Sequence, residues 1–212
     1  MESPMHSLIL KSFLLLSLSF VFAVNMSKGK EPFYPDASYD HQFHVVLSAG
    51  IKNGGDSLQQ VVQVTTGEVI EKLRVGGFFN GNLGVLVPLG EDNPFSLQAT
   101  VGYIYDQISS NINVDDRASF QRSTAELIAF YNWGRQRIGV GATAHFNPKF
   151  KQRATIGVFQ INFDNAVGGY IQYDLMYDQH ISGGIRADYI EYKLGNTVLK
   201  APSMGLHLNY SF

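Results

Sequence analysis

Two side chains in the middle of the sequence could together activate a nucleophile: the carboxylate Glu126 and the imidazole His145. Each lies on the polar face of a segment in which every second residue is apolar. If Gly134 to Arg137 form the turn between these segments, Glu126 lies opposite His145. A carboxylate that orients a histidine gives the kind of base that an acyl hydrolase needs. Thr143 is the nearest hydroxyl on this face, but threonine rarely acts as a nucleophile away from a chain terminus, so catalysis is the weaker of two interpretations.

The stronger interpretation is a network of polar side chains that fills the interior of the fold. A turn at Gln179 to Ile181 would place Asp174 opposite Arg186, and Gln172 opposite Asp188. Opposite charges at paired positions stabilise a sheet and satisfy groups that are costly to bury. The predicted lumenal network consists of Glu126, His145, Asp174, Arg186 and Asp188.

Composition limits the other kinds of chemistry. The chain has no cysteine, which excludes thiol catalysis and a disulfide framework. His44, His145 and His207 can face one interior, but they lack the spacing of a chelating motif, so neither a metal site nor a cofactor is expected. The formal net charge is −2, and no basic region of the kind that binds nucleic acid is present.

The elements that must position these residues are β-strands. Apolar and polar residues alternate in eight segments, and no segment has a convincing helical period. The turns after the second, fourth and sixth segments are short, whereas the other connections are long. This layout, with an even strand count, is typical of a transmembrane barrel. The predicted strands are residues 42–52, 72–89, 95–106, 121–133, 138–147, 166–178, 182–193 and the C-terminal segment.

Two irregularities are expected within this layout. The alternation in the seventh segment is predicted to slip near Ile190 and Tyr192. The third long loop contains a further alternating segment, Thr155 to Phe163, which we expect to extend a strand beyond the membrane.

Aromatic residues separate a membrane barrel from a soluble one. Trp133, Tyr210 and Phe212 would lie on the outward face near the short turns, and Tyr103 and Phe146 would lie outward near the long loops. Two aromatic belts suit a barrel in a bilayer. A soluble periplasmic barrel that binds a ligand would turn its apolar faces inward instead. The pattern therefore favours the membrane barrel.

The N-terminus indicates export. Residues 1–23 have the apolar run and small-residue end of a secretory signal peptide, which is too short to span a bilayer. Residues 24–40 form a polar lead-in without periodicity, expected in the periplasm. Residues 41–212 form the predicted barrel.

The C-terminal strand carries the most specific family signal. Leu206, Leu208, Tyr210 and Phe212 alternate with polar residues up to a terminal aromatic. The chain thereby resembles the small eight-stranded outer-membrane proteins of Gram-negative bacteria, of the OmpA/OmpX type. The resemblance implies an all-β, antiparallel, up-and-down barrel in the cell outer membrane, and a monomer. It also implies that Leu208, Tyr210 and Phe212 are the signal read by the barrel-assembly machinery.

That family is porin-like in fold but diverse in function. Eight strands leave an interior that side chains fill, so a diffusive pore is not expected. A few relatives modify lipid A, and the deacylases among them carry a His-x-Ser-Asn motif late in the chain. The comparable strand here reads Ala187-Asp188-Tyr189-Ile190-Glu191-Tyr192, without histidine or serine. A lipid A modifying acyl hydrolase is therefore only an alternative.

The resemblance also gives a meaning to one basic cluster. Lys149, Lys151 and Arg153 would lie just above the apolar band, where they could pair with phosphates of lipopolysaccharide. A solvated loop that happens to be basic is the other interpretation. We therefore expect a non-enzymatic outer-membrane barrel that contacts outer-membrane lipid, and whose loops contact lipopolysaccharide or an extracellular partner.

Overall fold

The computed structural model describes residues 44–62, 69–89, 94–109, 117–154, 157–178 and 180–212. The predicted signal peptide and periplasmic lead-in lie outside these residues. Within them, no helix is long and apolar enough to cross a membrane. The described chain consists of β-strands and their connections: β1 His44–Gly54, β2 Ser57–Val62, β3 Val69–Arg74, β4 Phe79–Pro88, β5 Phe95–Ser109, β6 Arg117–Trp133, β7 Gln136–Ala154, β8 Gly157–Asn162, β9 Ala166–Met176, β10 Ile181–Leu194, β11 Thr197–Lys200 and β12 Ser203–Ser211.

Eight of these strands form a closed antiparallel barrel. Around the barrel, the order is β1, β4, β5, β6, β7, β9, β10 and β12, and β12 pairs back with β1. The closing ladder runs from Val46 opposite Ser211 to Gly54 opposite Ser203. The predicted fold class, an eight-stranded up-and-down antiparallel barrel, is confirmed.

The other four strands lie in the connections at the long-loop end. β8 pairs with the upper part of β7, which confirms the predicted strand extension in the third loop. β11 pairs with β10, and β2 and β3 form a separate hairpin. The second predicted strand, 72–89, is wrong as one element because β3 ends at Arg74 and β4 begins at Phe79. Gly77, with a φ of 81°, turns the chain between them.

The alternation of faces follows the prediction. One apolar residue near mid-height of each barrel strand points away from the interior, and these eight side chains are between 51% and 68% exposed: Leu47, Leu83, Val101, Leu127, Val140, Ile171, Ile185 and Leu208. Their neighbours in sequence lie on the inward face and are mostly polar residues or glycine. The barrel therefore has an apolar outer wall around a polar middle.

The interior is closed by apolar side chains at both ends. Towards the short turns, Val46, Leu86, Ile128, Phe130 and Tyr170 form the lower cluster. Towards the long loops, the upper cluster contains residues from the barrel wall and from the hairpin β2–β3: Leu73, Val75, Ile108, Ala118, Phe120, Phe150, Phe163, Ala166, Ile190, Tyr192 and Ala201. The charged side chains Lys52, Glu126, Arg186 and Asp188 lie between the two clusters, whereas Arg137 and Asp174 lie beside the lower cluster, with the Arg137 guanidinium over the ring of Phe130.

The predicted phase slip near Ile190 and Tyr192 is wrong. β10 continues to Leu194, and both residues point inward, in phase with Asp188, because the interior becomes apolar at this level. The phase breaks instead in β7, where Asn147 has a φ of 48° and the register with β6 shifts between Gln121 and Ser123. This is a β-bulge, an extra residue that turns the following side chains to the opposite face.

Candidate functional site: buried charges and a basic outer strip

The hairpin between β6 and β7 turns through two residues, Gly134 and Arg135, because Trp133 pairs with Gln136. Glu126 is therefore opposite Thr143, and His145 is opposite Thr124. The predicted pairing of Glu126 with His145 is wrong by two residues. A shift of two keeps every side chain on its face but changes its partner.

The same error affects the next hairpin. Met176 pairs with Ser182, so Asp174 is opposite Gly184 and Arg186 is opposite Gln172. The predicted pairs of Asp174 with Arg186, and of Gln172 with Asp188, are both wrong.

The turn of this hairpin is longer than predicted and is held by Asp178. The Asp178 carboxylate accepts hydrogen bonds from the backbone N–H groups of His180 and Ile181, at 2.8 and 2.7 Å. These bonds lower the pKa of the Asp178 carboxyl, since they favour its charged form.

The first of two buried ionic groups centres on Arg186. Its Nη1 and Nη2 donate to Glu126 Oε2 and Oε1, each at 2.8 Å, which is a bidentate pair. Its Nε donates to Asp188 Oδ1 at 2.8 Å, and Lys52 Nζ lies 3.7 Å from Asp188 Oδ2. The guanidinium stacks on the ring of Tyr170, 3.5 Å from its centroid. Two cations thus balance two anions.

The second ionic group centres on Asp174, which is fully buried. Arg137 Nε donates to Asp174 Oδ2 at 2.7 Å, and His207 Nε2 lies 2.5 Å from Oδ1. Asn209 and Gln172 donate to the same carboxylate. Arg137 was not predicted as a partner, because the sequence pattern places it in the turn, and no partner was predicted for His207.

His145 belongs to a third group of contacts, separate from the two ionic groups. Arg122 Nε donates to His145 Nδ1 at 3.2 Å, and the Tyr192 hydroxyl lies 2.5 Å from the same nitrogen. Thr143 donates to Glu126 instead. Among the described residues, His145 therefore has no hydrogen bond to Glu126 or Thr143, and the predicted catalytic pair is not assembled.

The space left between these groups is small. One cavity of about 20 Å³ is lined by Lys52, Glu126, Arg186, Asp188 and His207, with other polar side chains. A ligand pocket usually has about 300 Å³ or more, whereas this volume suits a water molecule. Across the described ranges, no three His, Cys, Asp or Glu side chains are grouped as a metal site requires.

The bulge at Asn147 creates a different candidate site on the outer wall. Beyond it, Phe150 is buried inside, so Lys149, Lys151 and Arg153 lie on the outward face of β7. Arg117 of β6 is directly opposite Arg153. We call Arg117, Lys149, Lys151 and Arg153 the basic strip.

The basic strip has no acid beside it within the described parts of the chain. Its cross-strand neighbours on β6 are Ser119 and Gln121, and those on β8 are Val158, Gln160 and Asn162. Like charges directly opposite each other destabilise a sheet, so the pairing of Arg117 with Arg153 is unfavourable when no anion lies beside it. Arg117 was not predicted as a member because the sequence pattern assigns residues 107–120 to a loop.

Comparison with known proteins gives matches in structure alone. No protein-family model matches the chain, and no curated protein matches it in sequence. The structure is similar to that of Ail, the attachment invasion locus protein of Yersinia pestis, solved in complex with the heparin analogue sucrose octasulfate. The TM-score is 0.47 and the identity 10%, over 80% of this chain and 97% of Ail.

Two further solved structures are similar. Neisserial surface protein A has a TM-score of 0.46 and 11% identity, over 80% of this chain and 97% of its own. A major outer membrane protein from Thermus thermophilus has a TM-score of 0.43 and 13% identity, over 81% of this chain and 100% of its own. The predicted resemblance to small eight-stranded barrels is confirmed for the fold by the closed strand order of this chain.

Proposed function

We propose that this protein is an integral outer-membrane barrel, without enzymatic activity, whose basic strip binds the phosphate groups of lipopolysaccharide. The observation that carries the proposal is the apolar outer wall. A soluble ligand-binding barrel would point these side chains inward, whereas here one residue on each of the eight strands is exposed outward at mid-height. An apolar surface that continues around all eight strands is costly in water and favourable in lipid.

Aromatic side chains support a bilayer around this wall. Near the short turns the outward face carries Phe95, Tyr131, Trp133, Tyr177, Tyr210 and Phe212, and towards the long loops it carries Phe79, Tyr103, Phe146 and Tyr189. Rings of this kind suit the two interfaces of a membrane.

The filled interior supports a role outside the lumen. The two apolar clusters and the buried ionic groups together fill the interior, so neither a pore nor an acyl hydrolase site is part of the proposal. The alternative enzyme would need a nucleophile and an activating base in contact with lipid. Glu126 and His145 lie in the interior instead, bonded to other partners.

We propose that the barrel-assembly machinery inserts this protein as a monomer. The position of the C-terminal residues supports their recognition by that machinery. Leu208, Tyr210 and Phe212 are exposed on the outward face of the closing strand. The Phe212 N–H donates to the Val45 carbonyl at 2.9 Å, which places the terminal ring at the seam between β12 and β1.

The position of the basic strip supports contact with lipopolysaccharide. Lys149, Lys151 and Arg153 follow Phe146, an outward aromatic at the long-loop end of the apolar band. Phosphates of a lipid headgroup would lie at this height, and guanidinium and ammonium groups bind phosphate by charge and hydrogen bonds. We therefore propose that the basic strip contacts the phosphate groups of lipopolysaccharide in the external leaflet.

Neutralising the three members of the basic strip on β7 should weaken lipid A binding. In the variant Lys149→Gln/Lys151→Gln/Arg153→Gln, we expect roughly a hundredfold weaker binding, since each basic side chain near a charged lipid surface contributes about 1 kcal/mol. Binding of purified folded protein to lipid A would be measured in detergent micelles.

The matched control removes three exposed lysines at the same end, Lys72→Gln/Lys193→Gln/Lys200→Gln, and should change binding little. Lipid A without phosphates should bind the unmodified protein as weakly as intact lipid A binds the variant. Equal binding of the two lipids would contradict the phosphate assignment, as would an equal loss in the control variant.

A further inference from the structure

The hairpin β2–β3 closes the mouth of the barrel. Leu73 and Val75 are fully buried in the upper cluster, against wall residues such as Phe120 and Tyr192. The hairpin is a sheet of its own, with no strand ladder to the barrel. Its attachment therefore depends on these apolar contacts and on the hydrogen bonds at its base.

A buried guanidinium makes one of the hydrogen bonds at the base of the hairpin β2–β3. Arg122 Nη2 donates to the Gly76 carbonyl, at the end of the hairpin, with a length of 2.7 Å. The added Cβ of any residue replacing Gly77 would be 2.5 Å from Ile104 Cγ2 and 3.1 Å from Arg122 Nη2, so the connection lies tightly against the wall. Arg122 also lies over the rings of Phe120 and Tyr192, at 4.8 and 5.4 Å.

The orientation of Arg122 depends on His145. A guanidinium can only donate hydrogen bonds, so its Nε–H requires His145 Nδ1 to be unprotonated. The Tyr192 hydroxyl also lies within hydrogen-bond distance of this nitrogen. His145 Nε2, which carries the proton in this tautomer, is buried and has no hydrogen-bond partner among the described residues. The neutral imidazole is thus part of the closed arrangement.

The surroundings oppose a charged imidazole. Burial opposes the charged form first, since His145 is 2% exposed, and among the described residues the charges that act on it, from Arg122 on β6, Lys52 on β1 and Arg186 on β10, are positive as well. The nearby anions are engaged elsewhere, since Asp188 pairs with Arg186 and Lys52, and Asp106 of β5 acts on Arg122. A second proton on His145 would remove the acceptor of Arg122 Nε, since a guanidinium can only donate, and would add a fourth cation, whereas the Tyr192 hydroxyl could turn to accept from the new N–H.

We propose that Arg122, His145 and Tyr192 form an acid-sensitive latch, and that protonation of His145 releases the hairpin β2–β3 from the mouth of the barrel. The closed form holds fewer protons on His145 than the open form, so closure weakens as the pH falls. A histidine in water titrates near pH 6.5, which sets the upper limit of the range.

The absence of native cysteine allows a direct test. The variant Val75→Cys places one thiol in the closed interface, and Gln60→Cys places one on the exposed surface of the same hairpin. The ratio of their labelling rates with a small thiol reagent measures protection by closure and cancels the intrinsic effect of pH on the thiol. From about pH 7.5 to about pH 5, we expect protection to fall roughly tenfold or more.

Substitution of the histidine separates the latch from general acid effects. His145→Asn keeps an acceptor near the place of Nδ1 but does not titrate, so its protection should stay nearly constant over the same range. His145→Gln is the second variant if His145→Asn does not fold, as judged by migration before and after boiling. His180→Gln, at a turn on the opposite rim, should keep the response of the unmodified protein. Constant protection in the unmodified protein, or an undiminished response without His145, would overturn the proposal.

Discussion

Replacing Arg186 with methionine should lower the free energy of unfolding by about 3–5 kcal/mol, because the change leaves buried carboxylates without their main partner. Glu126 would lose both of its charge-assisted bonds, and Asp188 would keep only Lys52, at 3.7 Å. Urea unfolding of the purified barrel, followed by tryptophan fluorescence, measures the loss. Lys193→Met is the matched control, since Lys193 is exposed on the same strand and should change stability by less than about 0.5 kcal/mol.

A double-mutant cycle tests whether the partner is Glu126. The variant Arg186→Met/Glu126→Gln should lose less than the sum of the two single changes, with a coupling of about 0.5–3 kcal/mol. Additive losses would show that the bidentate pair is absent. A larger coupling of Arg186 with Asp174 than with Glu126 would support the register predicted from the sequence and contradict the register of the structure.

Placing an arginine on the outer wall should have an effect of similar size. Leu127 is 55% exposed at mid-height of β6, and Leu127→Arg should destabilise the folded barrel in a bilayer by about 2–4 kcal/mol. Ser123, on the same face of the same strand, pairs with Phe146 at the long-loop rim, so Ser123→Arg should cost only about 0–1 kcal/mol. Both changes would be measured by unfolding from lipid vesicles.

The difference in stability between these two variants shows whether the outer face of β6 is surrounded by lipid or by water. If the outer wall faced water, an exposed leucine could be replaced by arginine at little cost, and the two variants would be alike. Equal stabilities would therefore contradict a membrane around β6. A loss confined to Leu127→Arg would support it.

The sequence predicted which side chains of each strand face the interior, but it did not predict their cross-strand partners. Side chains alternate with a period of two, so the pattern alone assigns Glu126, Asp174, Arg186 and Asp188 to the interior. Partners depend on the length of each turn, and an error of two residues preserves the pattern. No alternation of apolar residues distinguishes Glu126 opposite His145 from Glu126 opposite Thr143.

The long-loop end was harder to predict because two assumptions fail there. One is that every inward residue is polar, and the other is that the alternation of faces continues unbroken along a strand. Ile190 and Tyr192 are out of phase only under the assumption that every inward residue is polar, whereas the interior above the charges is apolar. Phe120, in phase with the inward residues of β6, was the available signal. The bulge at Asn147 gave no clear signal, since it depends on one residue with a positive φ, and it decides that the basic strip faces outward.

The single tryptophan gives the most direct measurement of the central proposal, that the outer wall of this barrel lies in lipid. Trp133 is 38% exposed on the outward face near the short turns, beside Tyr131. In vesicles of brominated phospholipid, folded protein should lose much of its Trp133 fluorescence, and bromine near the headgroup should quench more than bromine at the chain end. Unbrominated vesicles are the control. Emission equal in all vesicles, with the protein folded, would contradict contact between the wall and lipid.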